Sequence, residues 1–430
     1  MTSPRPTDYA PDEEFARRLD ANDPLARFRS RFLVPRRGEG GEQLYFLGNS
    51  LWLLPAAARE HVEKEMDAWG RKAVAGHFEG KLPWVDYHRN LTAPLARLVG
   101  ALPSEVVAMN SCTVNLHLMM VSFYRPTPER HRVLMEDCAF PSDTYAVQSQ
   151  IRFHGFDPAE ALRVARPRPG ESVLRTEDLI ELLEREGDTI ALVLLGGVNY
   201  FTGQFFDLES IGAAARRRGC AVGWDLAHAV GNLPLRMHDC EADFAVWCSY
   251  KYLNAGPGAI GGCFVHERHA GDGSLPRFAG WWGNDPRTRF SMHLIRSFVP
   301  VLGADGWQLS NPSILAAAPL LASLAIFEEA GLEALRAKSV ALTGYLEFLI
   351  DRIPGVAYEI LTPRDPAARG CQLSLRVKRD AAALQRRLEG AGIVADLREP
   401  GVLRFAPVPL YNTFTEVWRL AQALDAAASD

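Results

Sequence analysis

Short apolar runs alternate with helical patterns between about residues 105 and 270. The runs have the length of buried strands, and we predict strands at residues 132–135, 189–195, 220–224, 244–248 and 259–265. A helix is predicted at residues 208–218, with Asp207 as its cap and Gly219 at its end. This alternation predicts an α/β fold with a mostly parallel central sheet, covered on both faces, whose ligand groups gather at the carboxyl ends of the strands.

The pattern changes after about residue 305. Long helices rich in Ala and Leu are predicted at 314–330 and 332–353, followed by strands at 372–377 and 403–406 and a last helix at 421–428. Near the N-terminus, a helix at 11–19 needs another surface to lie on. We therefore predict a large domain over 46–305, a smaller α/β domain over 306–430, and an N-terminal segment over 1–45 that packs on the small domain.

Composition narrows the classes of function. The 430 residues carry a formal charge of −5 without a basic block, which argues against nucleic acid or an anionic membrane as a partner. No apolar run approaches a membrane span, and residues 1–8 lack the apolar stretch of a signal peptide, so we predict a cytoplasmic protein with a small-molecule ligand. The seven scattered cysteines predict reduced thiols, and the segment 266–269 predicts a solvated loop rather than a metal site, so no metal is expected.

Two residues point to a definite chemistry. Asp225 ends a predicted strand, and Lys251 follows 26 residues later in a loop that leads to the glycine turn at 254–258. Pyridoxal 5'-phosphate (PLP) needs such a pair, because an amine bonds its aldehyde while a carboxylate keeps its ring nitrogen protonated. Each residue alone is most simply a solvated charge or a helix cap, but the two together predict a PLP enzyme.

Two further segments fit the same cofactor. Cys112 and Thr113 lie where an apolar helix begins, and free N–H groups at a helix start bind phosphate. Phe140 and Asp143 follow the strand predicted at 132–135 and could supply an aromatic face and a carboxylate, although a hydrophobic staple and a helix cap explain them equally well. His228, three residues after Asp225, is by itself most simply a core histidine.

Together these segments resemble the kynureninase family of PLP-dependent enzymes of fold type I, in the aspartate aminotransferase superfamily. The resemblance runs through most of the chain and is carried by residues 46–51, 109–118, 140–143, 198–204, 225–229, 250–254, 280–283, 310–312 and 406–412. It implies a seven-stranded type of central sheet in the large domain. It also implies a homodimer with shared active sites.

The resemblance implies a role for each matching residue. Lys251 would be the Schiff-base lysine, Asp225 the partner of the ring nitrogen and Tyr250 the proton donor. The cofactor would also contact Cys112, Thr113, Phe140, Asp143, His228 and Tyr250, with Trp281 and Asn311 supplied by the neighbouring subunit. Substrate contacts are implied for His77, Asn49, Ser310, Asn311 and Arg404, where Arg404 would clamp the α-carboxylate.

The implied reaction is hydrolysis of the Cβ–Cγ bond of L-kynurenine, 3-hydroxykynurenine or another ring-substituted relative, giving L-alanine and an anthranilate. This reaction belongs to tryptophan catabolism and NAD biosynthesis. Alternatives are a relative diverted to another amino acid, such as a desulfurase, an aminotransferase or another Cβ–Cγ lyase, and a catalytically silent PLP-binding protein. A desulfurase would need a mobile cysteine near Lys251, and none of the seven is placed convincingly on such a loop.

The chain departs from the family pattern at two positions. Trp52 stands where glycine is usual, and its ring is expected either to narrow the pocket for the aromatic ring of the substrate or to pack outward against the other subunit. Gly196 stands where many members carry Ser or Thr, so one hydroxyl contact near the cofactor is expected to be absent.

Overall fold

The computed structural model describes residues 9–37, 40–295, 297–355 and 357–429. The predicted lack of a signal peptide concerns residues 1–8, which lie outside the described residues. The α-helices are α1 Glu13–Ala21, α2 Ala56–Lys72, α3 Arg89–Val99, α4 Cys112–Phe123, α5 Pro141–Phe153, α6 Pro158–Ala161, α7 Thr176–Glu186, α8 Leu208–Arg217, α9 Ile314–Ala330, α10 Leu332–Ile350, α11 Ala381–Gly390 and α12 Phe414–Ser429. The strands are β1 Phe32–Leu33, β2 Leu44–Tyr45, β3 Leu54–Pro55, β4 Val106–Ala108, β5 Arg132–Glu136, β6 Leu162–Ala165, β7 Ile190–Gly196, β8 Ala221–Asp225, β9 Phe244–Trp247, β10 Gly262–Val265, β11 Tyr358–Ile360, β12 Leu373–Val377, β13 Ile393–Val394, β14 Asp396–Arg398 and β15 Val402–Phe405.

The central sheet has seven strands in the order β4-β10-β9-β8-β7-β5-β6. The neighbours from β9 to β6 pair in parallel, whereas β10 is antiparallel to both β4 and β9. The predicted mostly parallel sheet is therefore confirmed, and it brings the carboxyl ends of β5, β7, β8 and β9 to one edge.

Both faces of this sheet are buried. Along β7, Leu192 and Leu194 pack into one apolar cluster while Val193 and Leu195 pack into another on the opposite face. Because side chains alternate along a strand, a strand covered on both sides needs an unbroken apolar run. This explains why the strands were visible in the sequence as continuous rather than alternating patterns.

A second sheet has the order β11-β12-β15-β14, all antiparallel. One of its faces packs on α10, α11 and α12 through an apolar cluster that includes Leu375 and Phe405. Its other face carries polar and charged side chains, among them Ser374 and its cross-strand partner Arg404. The boundaries proposed for the domains, at residues 45 and 305, stay predictions.

The N-terminal helix α1 lies against α12. Phe15 and Ala16 are buried in the same apolar cluster as α10 and α12. Asp20 accepts hydrogen bonds from the backbone N–H groups of Phe414 and Thr415, at 2.6 and 3.0 Å, and so caps the start of α12. Asp20 thus links α1 directly to the start of α12.

The described residues contain no single helix that is long and apolar enough to cross a membrane. The helices α9 and α10 pass that test of length and composition only as a pair, and the pair is bent by 81°.

Asp20→Ala should lower the free energy of unfolding by about 1–2 kcal/mol, because α12 loses the acceptor of its first N–H groups. Chemical denaturation monitored by circular dichroism measures this change. Glu14→Gln, at an exposed position of the same helix, serves as the control and should have little effect. Equal losses in the two variants would show that the cap does not stabilise the protein.

Candidate active site

Four chain segments meet at the carboxyl edge of the central sheet. Strand β8 ends at Asp225, and Gly196 at the end of β7 is its direct partner in the register. Strand β5 ends at Glu136, and the loop after β9 carries Lys251. Parallel pairing therefore places an amine and two carboxyl groups at one edge, as the sequence predicts for Asp225 and Lys251.

Lys251 is buried and contacts His228. The lysine is 8% exposed, and its Nζ lies 3.0 Å from Nε2 of His228. Burial, followed by the positive charge of Lys251, lowers the pKa of His228 well below its usual value. His228 is therefore neutral at neutral pH and its Nε2 accepts a hydrogen bond from the lysine. The other ring nitrogen, Nδ1, is buried without a partner among the described residues.

Asp225 is held by two donors, one just after β8 and one at the start of α4. Its Oδ1 accepts from the backbone N–H of Ala227 at 2.8 Å and lies 3.8 Å from the Sγ of Cys112. Burial raises the pKa of the Cys112 thiol, so the thiol keeps its proton and donates it. Burial and then the charge of Asp225 raise the pKa of Asp143 well above its usual range.

Glu136 is a third buried carboxyl group, which the sequence analysis missed. Its two oxygens accept from the backbone N–H of Gly196 at 3.1 and 3.3 Å. Burial raises its pKa to about 7. A Cβ at position 196 would lie 3.0 Å from Glu136 Oε1, so the glycine that departs from the family pattern leaves room for this carboxyl group. A strand-terminal acid after an apolar run was the available signal, the same one that singled out Asp225.

These groups fit PLP. The side chain of Ser111 makes no capping hydrogen bond at the start of α4, so the first N–H groups of that helix, at Cys112 and Thr113, are free to hold a phosphate. Buried polar atoms without partners, the Nδ1 of His228 and the Oγ of Ser249, lie in the same segments as Asp225 and Lys251. The acid group at Asp225 suits a protonated ring nitrogen, and the amine of Lys251 suits an aldehyde.

Aromatic rings surround the lysine. Its Nζ lies 5.4 Å from the ring centre of Phe140 and 5.9 Å from that of Tyr250. Phe140 also makes an edge contact with Tyr200, with centroids 5.2 Å apart. The pKa of the Tyr250 hydroxyl is raised, mainly by burial, so this group keeps its proton at neutral pH.

Arg404 lies on the polar face of the small sheet and is 1% exposed. Its Nη1 donates to the backbone oxygen of Tyr200 at 2.7 Å, and its Nη2 donates to the carboxylate of Asp396. Its Nε has no partner among the described residues. Burial lowers the pKa of Arg404 to about 10, which still leaves it charged at neutral pH. The free Nε–H suits an added carboxylate.

Asn49 belongs to the same polar network. Its Nδ2 donates to Oε1 of Gln372 at 2.9 Å, and Gln372 Nε2 donates to the backbone oxygen of Tyr200 at 3.0 Å. The Oδ1 of Asn49 is buried and has no partner in the described chain. Gln372 and Tyr200 thus belong to this network. Tyr200 lies in the segment 198–204 that carries the family resemblance, whereas no motif singled out Gln372.

Other predicted site residues lie apart from this group. His77 ends a 3-10 helix and packs against Trp84, with ring centroids 5.3 Å apart. Trp281 packs against Trp282, while Ser310 donates to the side chain of its exposed neighbour Asn311 at 3.1 Å. Within the described chain, no hydrogen bond or ring contact joins these residues to Lys251, Asp225 or His228.

The expectation that Trp52 packs outward against another subunit is wrong. The ring is 5% exposed and lies in the main apolar cluster of its own chain. It stacks on Phe327, with centroids 6.1 Å apart, and meets the edges of Tyr252 and Tyr411. Tyr252 directly follows Lys251, so the indole supports the lysine loop from the interior.

The segment 266–269 is not a solvated loop either. His266 is buried with its Nδ1 3.8 Å from Glu105, and His269 contacts Asp243 at 2.8 Å. Glu105, His238 and His266 bring three potential metal-ligand atoms within 4.8 Å of one another. The carboxylate already accepts from His238 and from backbone N–H groups, so these contacts account for the cluster without a metal.

Solved structures share this fold. The structure of C-DES with glycine covalently linked to its PLP cofactor aligns with a TM-score of 0.74 and 19% identity, covering 89% of this chain and 96% of that one. The cysteine desulfurase CsdA from Escherichia coli aligns with a TM-score of 0.74 and 16% identity, covering 94% and 98%. The fold is that of PLP-dependent enzymes of fold type I.

Sequence comparison gives the family. The kynureninase of Koribacter versatilis is 58% identical over 95% of this chain and 96% of its own, and that of Myxococcus xanthus is 55% identical over 98% and 99%. The model of the kynureninase C-terminal domain matches residues 335–424. The chain belongs to the kynureninase family, which confirms the resemblance.

Glu136→Gln should make the cofactor-free protein more stable above about pH 7. A carboxyl group whose pKa is raised by folding stabilises the fold fully below its unfolded value of 4.5, and that stability is lost as the pH rises through about 7. The loss has an upper limit of about 3 kcal/mol. Denaturation of both proteins across this range measures the difference.

Glu129→Gln, at an exposed loop position, is the matched control and should leave the pH dependence unchanged. A Glu136→Gln variant with the same pH dependence as the parent would show that Glu136 ionises normally in the folded protein.

Proposed function

We propose that this protein uses PLP to hydrolyse the Cβ–Cγ bond of L-kynurenine or a ring-substituted relative, releasing L-alanine and an anthranilate. The observation that carries the proposal is the buried Lys251, 3.0 Å from a neutral histidine, at the same sheet edge as Asp225. Full-length kinship with curated kynureninases gives the substrate class.

The cofactor would be held by residues from both sides of its ring. Lys251 would bond its aldehyde carbon, Asp225 would pair with its ring nitrogen and Phe140 would lie against its ring. The remaining contacts are proposed for Asp143, His228, Cys112, Thr113 and Tyr250, and for Trp281 and Asn311 of a second subunit. When bound, the cofactor withdraws electrons from the amino acid and so acidifies its Cα–H.

The protein's own groups then manage protons and charge. Lys251 takes the proton from the substrate Cα, and the neutral His228 accepts a hydrogen bond from the lysine without adding a second positive charge. Tyr250, which keeps its proton, donates to the β-carbon after the bond breaks. Water adds to the γ-carbonyl before this cleavage.

Substrate recognition is divided between Arg404 of the small sheet and residues that lie outside both sheets. Arg404 binds the α-carboxylate through its free Nε–H edge. Asn49, whose Oδ1 is also free, lies in the same network, and we assign His77, Ser310 and Asn311 to the aromatic end of the substrate. Kynurenine and 3-hydroxykynurenine differ by one hydroxyl group, which is discriminated by polar groups at that end.

A homodimer completes this arrangement. Exposed apolar side chains cluster near Trp281, where Phe78 and Phe290 pack together with centroids 5.4 Å apart and are 60% and 55% exposed. Leu294, in the same 3-10 helix as Phe290, is 76% exposed, and Leu302 is 75% exposed. An apolar surface of this kind marks a protein interface, and Trp281, Ser310 and Asn311 lie in the segments beside it.

A desulfurase is not favoured by the cysteines near the lysine. Cys112 contacts Asp225, Cys248 lies three residues before Lys251, and the exposed Cys138 lies two residues before Phe140. Burial raises the pKa of all three thiols. A cysteine that attacks sulfur needs an accessible thiolate. All seven cysteines are free, which fits the predicted reducing, cytoplasmic location.

Lys251→Ala should abolish the visible absorption of lysine-bound cofactor and the release of L-alanine from kynurenine and 3-hydroxykynurenine. The amine is both the attachment point and the base. Lys378→Ala, at an exposed lysine of the small domain, is the matched control and should retain both properties. Borohydride reduction and peptide mapping should find the cofactor on Lys251, and its recovery on another lysine would refute the assignment.

Arg404→Leu should weaken binding of the amino acid while leaving the cofactor absorption intact. Each lost hydrogen bond to a charged group is worth about 1.5–3 kcal/mol, so affinity should fall at least about tenfold. Titration of the holoprotein with substrate measures this change. Arg376→Leu, an exposed arginine of the same sheet, is the control; equal affinities for Arg404→Leu and this variant would remove Arg404 from the site.

A further inference from the structure

The carboxylate of Asp396 holds the substrate-binding arginine. Strands β14 and β15 are antiparallel, and Asp396 is the direct cross-strand partner of Arg404. Arg398 lies two residues after Asp396, on the same face of the strand. Side chains opposite each other on one face of a sheet lie within contact distance, so the backbone register brings the three charges together.

One oxygen of Asp396 is shared by two guanidinium groups. Its Oδ2 accepts from Nη2 of Arg404 and, at 3.1 Å, from Nε of Arg398. Arg404 is also fixed through Nη1, which donates to the backbone of Tyr200. Its guanidinium plane is thereby held at both terminal nitrogens, and the Nε–H is the donor left without a partner in the described chain.

The charges in this group do not cancel. Asp396 is a single carboxylate between two arginines, and its side chain is 16% exposed against 2% for Arg404. Arg398 is 39% exposed, so solvent screens part of its charge, whereas the buried Arg404 is stabilised by a further anion. This group of side chains can therefore bind the α-carboxylate of an amino acid that has a single carboxylate.

We propose that Asp396 is a positioning residue for carboxylate recognition, which rests on the proposed function of Arg404. Asp396 acts through Arg404: it fixes the guanidinium plane before the ligand arrives, so that binding does not have to order this side chain. Fixing a side chain in advance lowers the cost of binding. Selectivity for the carboxylate therefore belongs to Arg404 and Asp396 together, and not to Arg404 alone.

The test compares L-alanine with L-alaninamide, which lacks the carboxylate, as ligands of the PLP-loaded protein. Cofactor absorption reports binding of both, without turnover. Asp396→Ala should weaken L-alanine binding by about tenfold, equivalent to about 1.4 kcal/mol, and leave L-alaninamide binding unchanged. Asp396→Glu, which restores a carboxylate, should recover part of the preference for L-alanine.

Glu359→Ala is the matched control, because Glu359 and Arg376 form an exposed cross-strand pair on the same sheet, 3.0 Å apart. It should preserve the preference. Asp396→Asn is measured alongside Asp396→Ala in case the latter does not fold. An unchanged or increased preference for L-alanine in the soluble Asp396 variants, or equal weakening of both ligands, would overturn the proposal.

The same measurements distinguish a failure of the proposed function from a failure of the role proposed for Asp396. A parent protein that binds L-alanine and L-alaninamide equally would refute carboxylate recognition by Arg404, and the role of Asp396 with it. A parent that prefers L-alanine but does not cleave kynurenine would refute the substrate and leave the Asp396 assignment in place.

Discussion

The site depends on keeping several carboxyl groups close together away from water. Glu136, Asp143 and Asp225 lie at a single sheet edge, and burial raises the pKa of Glu136 and of Asp143. Backbone N–H groups and a protonated thiol compensate part of this cost, and Lys251 supplies a cation. A protonated pyridine ring beside Asp225 would add a further compensating positive charge.

A second constraint joins the two sheets. Side chains in or next to the small sheet donate hydrogen bonds to successive backbone oxygens of one loop of the large sheet. Arg404 and Gln372 donate to Tyr200, Ser374 donates to Phe201, and Thr362 donates to Thr202. The same Tyr200 ring contacts Phe140, which lies over Lys251. The residues proposed for the carboxylate and for the cofactor are therefore connected through a single loop.

The sequence predicts the long elements well, and it predicts that Asp225 and Lys251 lie at one edge of the sheet. Strand β7 is visible because seven consecutive residues are buried or nearly so, and Asp225 and Lys251 are visible because their chemistry is specific. Strand β4, with three residues, gives too short a pattern. Glu136 and Asp396 look like ordinary strand-end acids, since their meaning comes from neighbours on other strands. Trp52 misleads because a large ring at a turn can point inward, where Phe327 and Tyr411 receive it.

The loop around Tyr200 has an evolutionary consequence. The hydrogen bonds that Arg404, Ser374 and Thr362 donate to this loop end on main-chain oxygens, which all amino acids possess. A substitution at position 200 preserves these hydrogen bonds, although it removes the ring that the Arg404 guanidinium faces at 5.6 Å. Single substitutions at position 200 could therefore replace the side chain that contacts Phe140. The backbone hydrogen bonds of the loop would stay the same, so the site could adapt without a change in the position of the loop.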